Sequence, residues 1–175
     1  MLEAPNAVEH RFAFDLDVVR GFLRIMSGDA APGREVEDMA ALRLYAYVGS
    51  PRIVPTIRDE LETAAQPPLS QWKHYGLVEI IKDEFFQGAV KGRAERYLEV
   101  YPDPRDCRVV AEAEHARLEA FLTLNGDLIT RLSGRTESIG LMTPSQYWDA
   151  LSVPHGTEPL RSPTSPLRDE DWWRW

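Results

Sequence analysis

The chain has one cysteine, Cys107, so it cannot close an internal disulfide, which fits a reducing, cytoplasmic setting. Cys107 falls in a predicted helix with no obvious histidine partner, which reads as a small buried side chain rather than a nucleophile. No apolar run reaches the roughly 18 residues of a membrane-spanning helix. The opening MLEAPNAVEH is polar and acidic, unlike a signal peptide. Cations are also scarce: 20 Lys and Arg stand against 28 Asp and Glu, giving a net charge of −8. That excludes a broad, sequence-blind nucleic-acid surface, which needs many phosphate-neutralising cations. It leaves room for a local basic rim or a basic protein partner. There is no internal repeat, and the histidines (10, 74, 115 and 155) form no ligand spacing.

What is present suits one globular domain: 175 residues, 43% of them hydrophobic. RFAFDL (11–16) reads as a strand covered on both faces, followed by a helix over 18–26. Residues 35–48 form a second helix, with a stripe of Val36, Met39, Leu42 or Arg43, and Ala46. RIVP (52–55) is a short strand, and Thr56 is the expected N-cap of the helix IRDELETAA. A strand at 76–82, a helix over 85–100 and a strong helix from Arg105 follow. Strands at 120–124 and 138–142 and a helix opening at Pro144 complete the pattern. This alternation predicts an α/β/α sandwich around a mainly parallel sheet of about four to five strands. The expected organisation is an N-terminal arm (1–10), a domain (11–152) and a proline-rich tail (153–175) ending in WWRW. Exposed tryptophans favour association, so that terminus is expected to dock on its own or a neighbouring subunit.

The chemistry lies in acids at the edges of apolar runs: Asp15 in FAFDLDVV, Glu60 in TIRDELE and Asp106 in DCRVVAEA. Asp106 shares a helical face with Val109, Val110 and Ala113, an unusual place for a solvated charge. Taken singly, Asp106 could simply complement a helix dipole, and Glu60 could be an ordinary helix acid. Carboxylates converging from separate elements need neutralising, which points to a divalent cation. A fourth run, FLTLNGDLI, carries Asn125 where another acid could stand.

In this order, FAFDLDVV, IVPTIRDEL, RDCRVVAEA, FLTLNGDLI and SIGLMTPSQYWDAL resemble the PIN domain family of metal-dependent ribonucleases, many of them toxins, across residues 11–152. The resemblance implies a PIN-like fold and hydrolysis of RNA with Mg²⁺ or Mn²⁺. It implies catalytic positions at Asp15, Glu60, Asp106 and Asn125, with Asp15 and Asp106 as metal ligands and Thr123 as a positioning or substrate residue. Asn125 departs from the family acid: it brings no charge and cannot act as a base, so weaker metal binding is expected. Asp127 is the residue that could compensate, and Asp17 a further charge. RNA, an antitoxin-like protein inhibitor and a second copy of the chain are the partners implied. A PIN-fold protein that binds without cleaving is the alternative.

Lys91, Arg93 and Arg96 form a small basic face, and Arg105 and Arg108 flank Asp106. Lys91, Arg93 and Arg105 are the expected RNA-backbone contacts, although a solvated charge run has the same pattern. The DLD segment also resembles the haloacid-dehalogenase phosphatases, but no second late acid follows Asp127 at suitable spacing and no lysine stands in the required context.

Overall fold

A computed structural model describes residues 9–29, 32–64, 69–82, 87–163 and 171–175. Most of the N-terminal arm, residues 66–68 of the QPPLS break, residues 85 and 86 of the helix expected over 85–100, and 164–170 of the tail lie outside them. The elements run β1 (Phe12–Phe14), α1 (Leu16–Met26), α2 (Glu35–Tyr47), β2 (Arg52–Ile53), α3 (Pro55–Thr63), α4 (Leu69–His74) and β3 (Glu79–Ile80). There follow α5 (Gln87–Leu98), α6 (Pro104–His115), β4 (Ala120–Leu122), α7 (Gly126–Leu132), β5 (Gly140–Met142) and α8 (Pro144–Leu151).

The five strands form one all-parallel sheet in the order β3-β2-β1-β4-β5, flanked by helices as an α/β sandwich. β1 and β4 are buried along their whole length, as expected for strands covered on both faces. Alternation sets which layer each residue meets. Phe12 and Phe14 share one face, where their rings meet Tyr147 of α8 at 5.5 Å and Phe22 of α1 at 5.7 Å. Ala13 points the other way and pairs in register with Phe121.

Three local expectations are corrected. The expected stripe holds at Met39, Leu42 and Ala46 but not at Val36, which is 71% exposed, and Ala40, Ala41, Leu44, Tyr45 and Tyr47 are buried besides. The second half of α2 is enclosed by α1, α8 and the chain terminus, so no single apolar stripe describes it. Thr56 is not the cap of α3. Pro55 occupies the first helical turn, where its missing N–H costs nothing, and the cap moves back to Val54. Thr56 instead donates Oγ1–H and its backbone N–H to Glu112, at 2.8 and 3.0 Å. The tail is not simply extended: its end folds back onto the same chain. Trp173 is fully buried with its ring 6.3 Å from Tyr47, and Trp175 stacks on His155 beneath the Arg43 guanidinium.

Candidate functional site

All strands point one way, so their carboxyl ends share one edge. The chain leaves β1 toward β2 and β3 on one side and reaches β4 and β5 on the other. In open α/β sheets such a reversal leaves a crevice outside the carboxyl ends, the usual place for ligands. Asp15 directly follows β1 and Thr123 directly follows β4, so both stand at this crevice. The Asp15 backbone N–H donates to Leu122 O at 2.8 Å, locking the two strand ends together.

Asp106 and Glu60 reach the same place from helices. Asp103 caps α6 by accepting from the Asp106 N–H at 3.0 Å, and Pro104 starts the helix. Asp106 therefore lies in the first turn on the buried face. Glu60 sits in the second turn of α3, half-buried.

At the centre of these acids is a cation from the chain itself. Arg105 Nη1 donates to Asp15 Oδ1 at 3.0 Å and to Asp106 Oδ1 at 2.8 Å. Its Nε and Nη2 donate in parallel to the two Glu60 oxygens, both at 2.8 Å. The bidentate fork suits a carboxylate, and a guanidinium can serve several acceptors at once. Hydrogen bonding to Glu60, followed by the Asp15 charge, outweighs burial and holds Arg105 firmly protonated.

The remaining oxygens are also occupied. Asp15 Oδ2 accepts from Thr123 Oγ1 at 2.7 Å, and Thr123 is fully buried. Asp106 Oδ2 accepts from the Tyr101 hydroxyl at 3.2 Å and from Asn125 Nδ2 at 3.1 Å. Burial pushes the Tyr101 hydroxyl above its ordinary range, against the Asn125 hydrogen bond and with the Asp106 charge, so it stays a donor. Asn125 Oδ1 caps α7 by accepting from Leu128 N at 3.1 Å, which turns its amide nitrogen toward Asp106. An acid at 125 could accept the same cap bond but could not donate to Asp106.

Asp15, Glu60, Asp106, Thr123, Asn125 and Arg105 are thus brought together, Arg105 facing the acids rather than a substrate. Others stand apart. Asp127 is exposed on α7 and pairs with Arg131 one turn on, at 3.0 Å, so it does not compensate for Asn125. Asp17 is exposed and faces Arg20 at 3.8 Å. Arg93 lies 3.2 Å from Glu114 and from Glu137, at the far end of α6 from Asp106, and Lys91 faces Glu95 on α5. Arg93 and Lys91 thus stand away from the acid cluster, since α5 packs on α6 with Arg93 beside Glu114, near the end of α6 remote from Asp106. Tyr101 is the site residue that sequence reasoning missed. Burial raises the Cys107 thiol to about 11, leaving it unreactive, and it donates to Tyr101 O at 3.2 Å.

Beside the cluster, a cleft of about 560 Å³ runs between α1 and α3, lined by Leu16, Arg20, Thr56, Asp59, Glu60, Thr63 and Ala64. Glu60 belongs to both cleft and cluster. The donor set is chemically suited to a divalent cation: carboxylate oxygens from three separate elements gathered about one positive charge. Among the described residues no group of three or more His, Cys, Asp or Glu side chains is placed to hold a metal ion. No protein-family model, curated protein or solved structure matches this chain. Among the described residues no helix is long and apolar enough to cross a membrane.

Proposed function

We propose that the chain is a PIN-like, divalent-metal-dependent endoribonuclease of the cytoplasm. The observation that carries this reading is the convergence of Asp15, Glu60 and Asp106 on one cation at the carboxyl-edge crevice of a parallel sheet. A bound Mg²⁺ or Mn²⁺ supplies positive charge for a phosphodiester and lowers the pKa of a bound water. Asp15 and Asp106 are the residues that would hold it. Thr123 fixes the Asp15 carboxylate by donating to Oδ2 and Leu16 N by donating to Oδ1, while Tyr101 and Asn125 fix Asp106 through its Oδ2; both Oδ1 atoms face the shared cation. Glu60 is more exposed and opens onto the cleft, where it can accept a proton from water or orient it. Arg20 is the cation lining that cleft, a position suited to an RNA phosphate. An antitoxin-like protein inhibitor belongs to the same reading and rests on family resemblance alone.

The test is cleavage of an end-labelled single-stranded RNA with Mn²⁺, by wild type and by Asp15→Asn and Asp106→Asn variants. Cleavage by the wild type alone is the expected result; equal cleavage by all three removes the assignment. A second reading, a PIN-like protein that binds without cleaving, is favoured by Asn125 donating to Asp106 in place of a fourth acid. RNA binding by the wild type with no Mn²⁺-dependent cleavage selects it.

A further inference from the structure

We infer that Arg105 is an internal competitor for the divalent cation, so that its guanidinium and the metal are alternative occupants of one position. The inference rests on the metal-dependent reading above, and its test separates the two.

The first argument is geometric. Arg105 Nη1 bridges Asp15 Oδ1 and Asp106 Oδ1 at 3.0 and 2.8 Å. A Mg²⁺ held by both oxygens, at the roughly 2.1 Å its oxygen ligands take, would compete for the gap that Nη1 spans. The two cations cannot share it.

Charge supplies the second. Asp15, Glu60 and Asp106 bring three negative charges and Arg105 returns one positive, so the cluster keeps a formal excess of two. Asp15 and Asp106 are both buried, where screening is weak. A divalent cation relieves this excess better than a guanidinium can. Arg105 therefore stabilises the metal-free protein without satisfying it.

The third is mobility of the right kind. The Arg105 side chain is 31% exposed and springs from the first turn of α6. Glu60, which takes its fork, also lines the solvent-open cleft between α1 and α3. Arg105 can leave the aspartates while its other nitrogens keep Glu60, and this places a cation at the mouth of the cleft. Metal affinity is then set by the fraction of molecules in which Arg105 has swung away.

Titration calorimetry with MnCl₂ tests this on the full chain. Arg105→Gln is expected to bind Mn²⁺ about tenfold more tightly than the wild type, the factor by which a competent state populated near one-tenth weakens apparent affinity. Mn²⁺ should also raise the thermal midpoint of Arg105→Gln more than that of the wild type. Adding Asp15→Asn to Arg105→Gln should abolish this binding and so place the ion. Arg105→Lys keeps a positive charge for folding but cannot span Glu60 and both aspartates, so it should bind several-fold more tightly than wild type. Equal Mn²⁺ affinity in wild type, Arg105→Gln and Arg105→Lys overturns the competition while leaving the metal reading standing. Absence of Mn²⁺ binding in wild type and both Arg105 variants overturns both.

Discussion

Two of the three buried acids of helix α6, Asp106 and Glu114, stand about two turns apart, and each has one arginine and one tyrosine beside it. At its start, Asp106 meets Arg105 and Tyr101. Near its end, Glu114 meets Arg93 and Tyr97, whose hydroxyl donates to it, and also accepts from Ser138 N at 2.6 Å. The parts are alike, but the charge accounts differ. Glu114 is the buried acid beside Arg93, with the exposed Glu137 sharing that cation from outside. Asp106 shares Arg105 with two further carboxylates. Arg96 also pairs with Glu137, at 2.8 Å, so the Glu114 arrangement is balanced in charge and binds α5, α6 and the approach to β5 together. The Asp106 arrangement carries excess negative charge at a crevice with a cleft beside it, and that excess marks it as a site.

A purely apolar anchor gives the scale for both ends of α6. Trp173→Ala empties a fully buried position against Tyr47 and should cost about 4 kcal/mol in urea unfolding. A cost below about 1 kcal/mol would show that the terminus does not anchor α2.

Glu114→Gln should cost about 3 kcal/mol, because it removes the buried charge facing Arg93 and turns one accepting oxygen into an amide N–H₂, so that Ser138 N or the Tyr97 hydroxyl meets a donor. Burial pushes the Glu114 carboxyl up, but hydrogen bonds from Tyr97 and Ser138 and the Arg93 charge outweigh it and hold it below its ordinary value. A carboxyl whose folded value is depressed contributes its full stability above the unfolded value, near 4.3, and loses it as pH falls through the folded value. The gap between wild type and Glu114→Gln should therefore narrow when urea midpoints are compared from neutral to acid pH. A constant gap would mean that the loss is one of shape rather than charge.

The smallest change is expected at the other end. Asp106→Asn removes one of the excess charges while keeping the side chain's size, so it should cost under about 1 kcal/mol although Asp106 is as buried as a core residue. A loss equal to that of Glu114→Gln would erase the distinction between the two ends.

Much of this was legible in the sequence, for identifiable reasons. β1 and β4 declared themselves because strands buried on both faces are apolar throughout, and Asp106 because its spacing from Val109, Val110 and Ala113 fixes the face. The roles of Glu112 and Glu114 were hidden, since acids in an alanine-rich helix look solvated until Thr56, Arg93 and Tyr97 arrive from other elements. Arg105 was read as a substrate contact because it flanks Asp106 as a basic residue, and adjacent helical residues point apart. Its long side chain nevertheless brings the fork back to its neighbour's carboxylate. Pro55 hid the start of α3 by moving the cap to Val54, two residues ahead of the hydroxyl that looked like it.

The most direct measurement is a crystal structure of the wild type soaked in MnCl₂, with anomalous scattering recorded. The account predicts an anomalous peak between Asp15 Oδ1 and Asp106 Oδ1, with Arg105 withdrawn toward Glu60. An undisturbed Arg105 bridging both aspartates, with no anomalous peak, would contradict it.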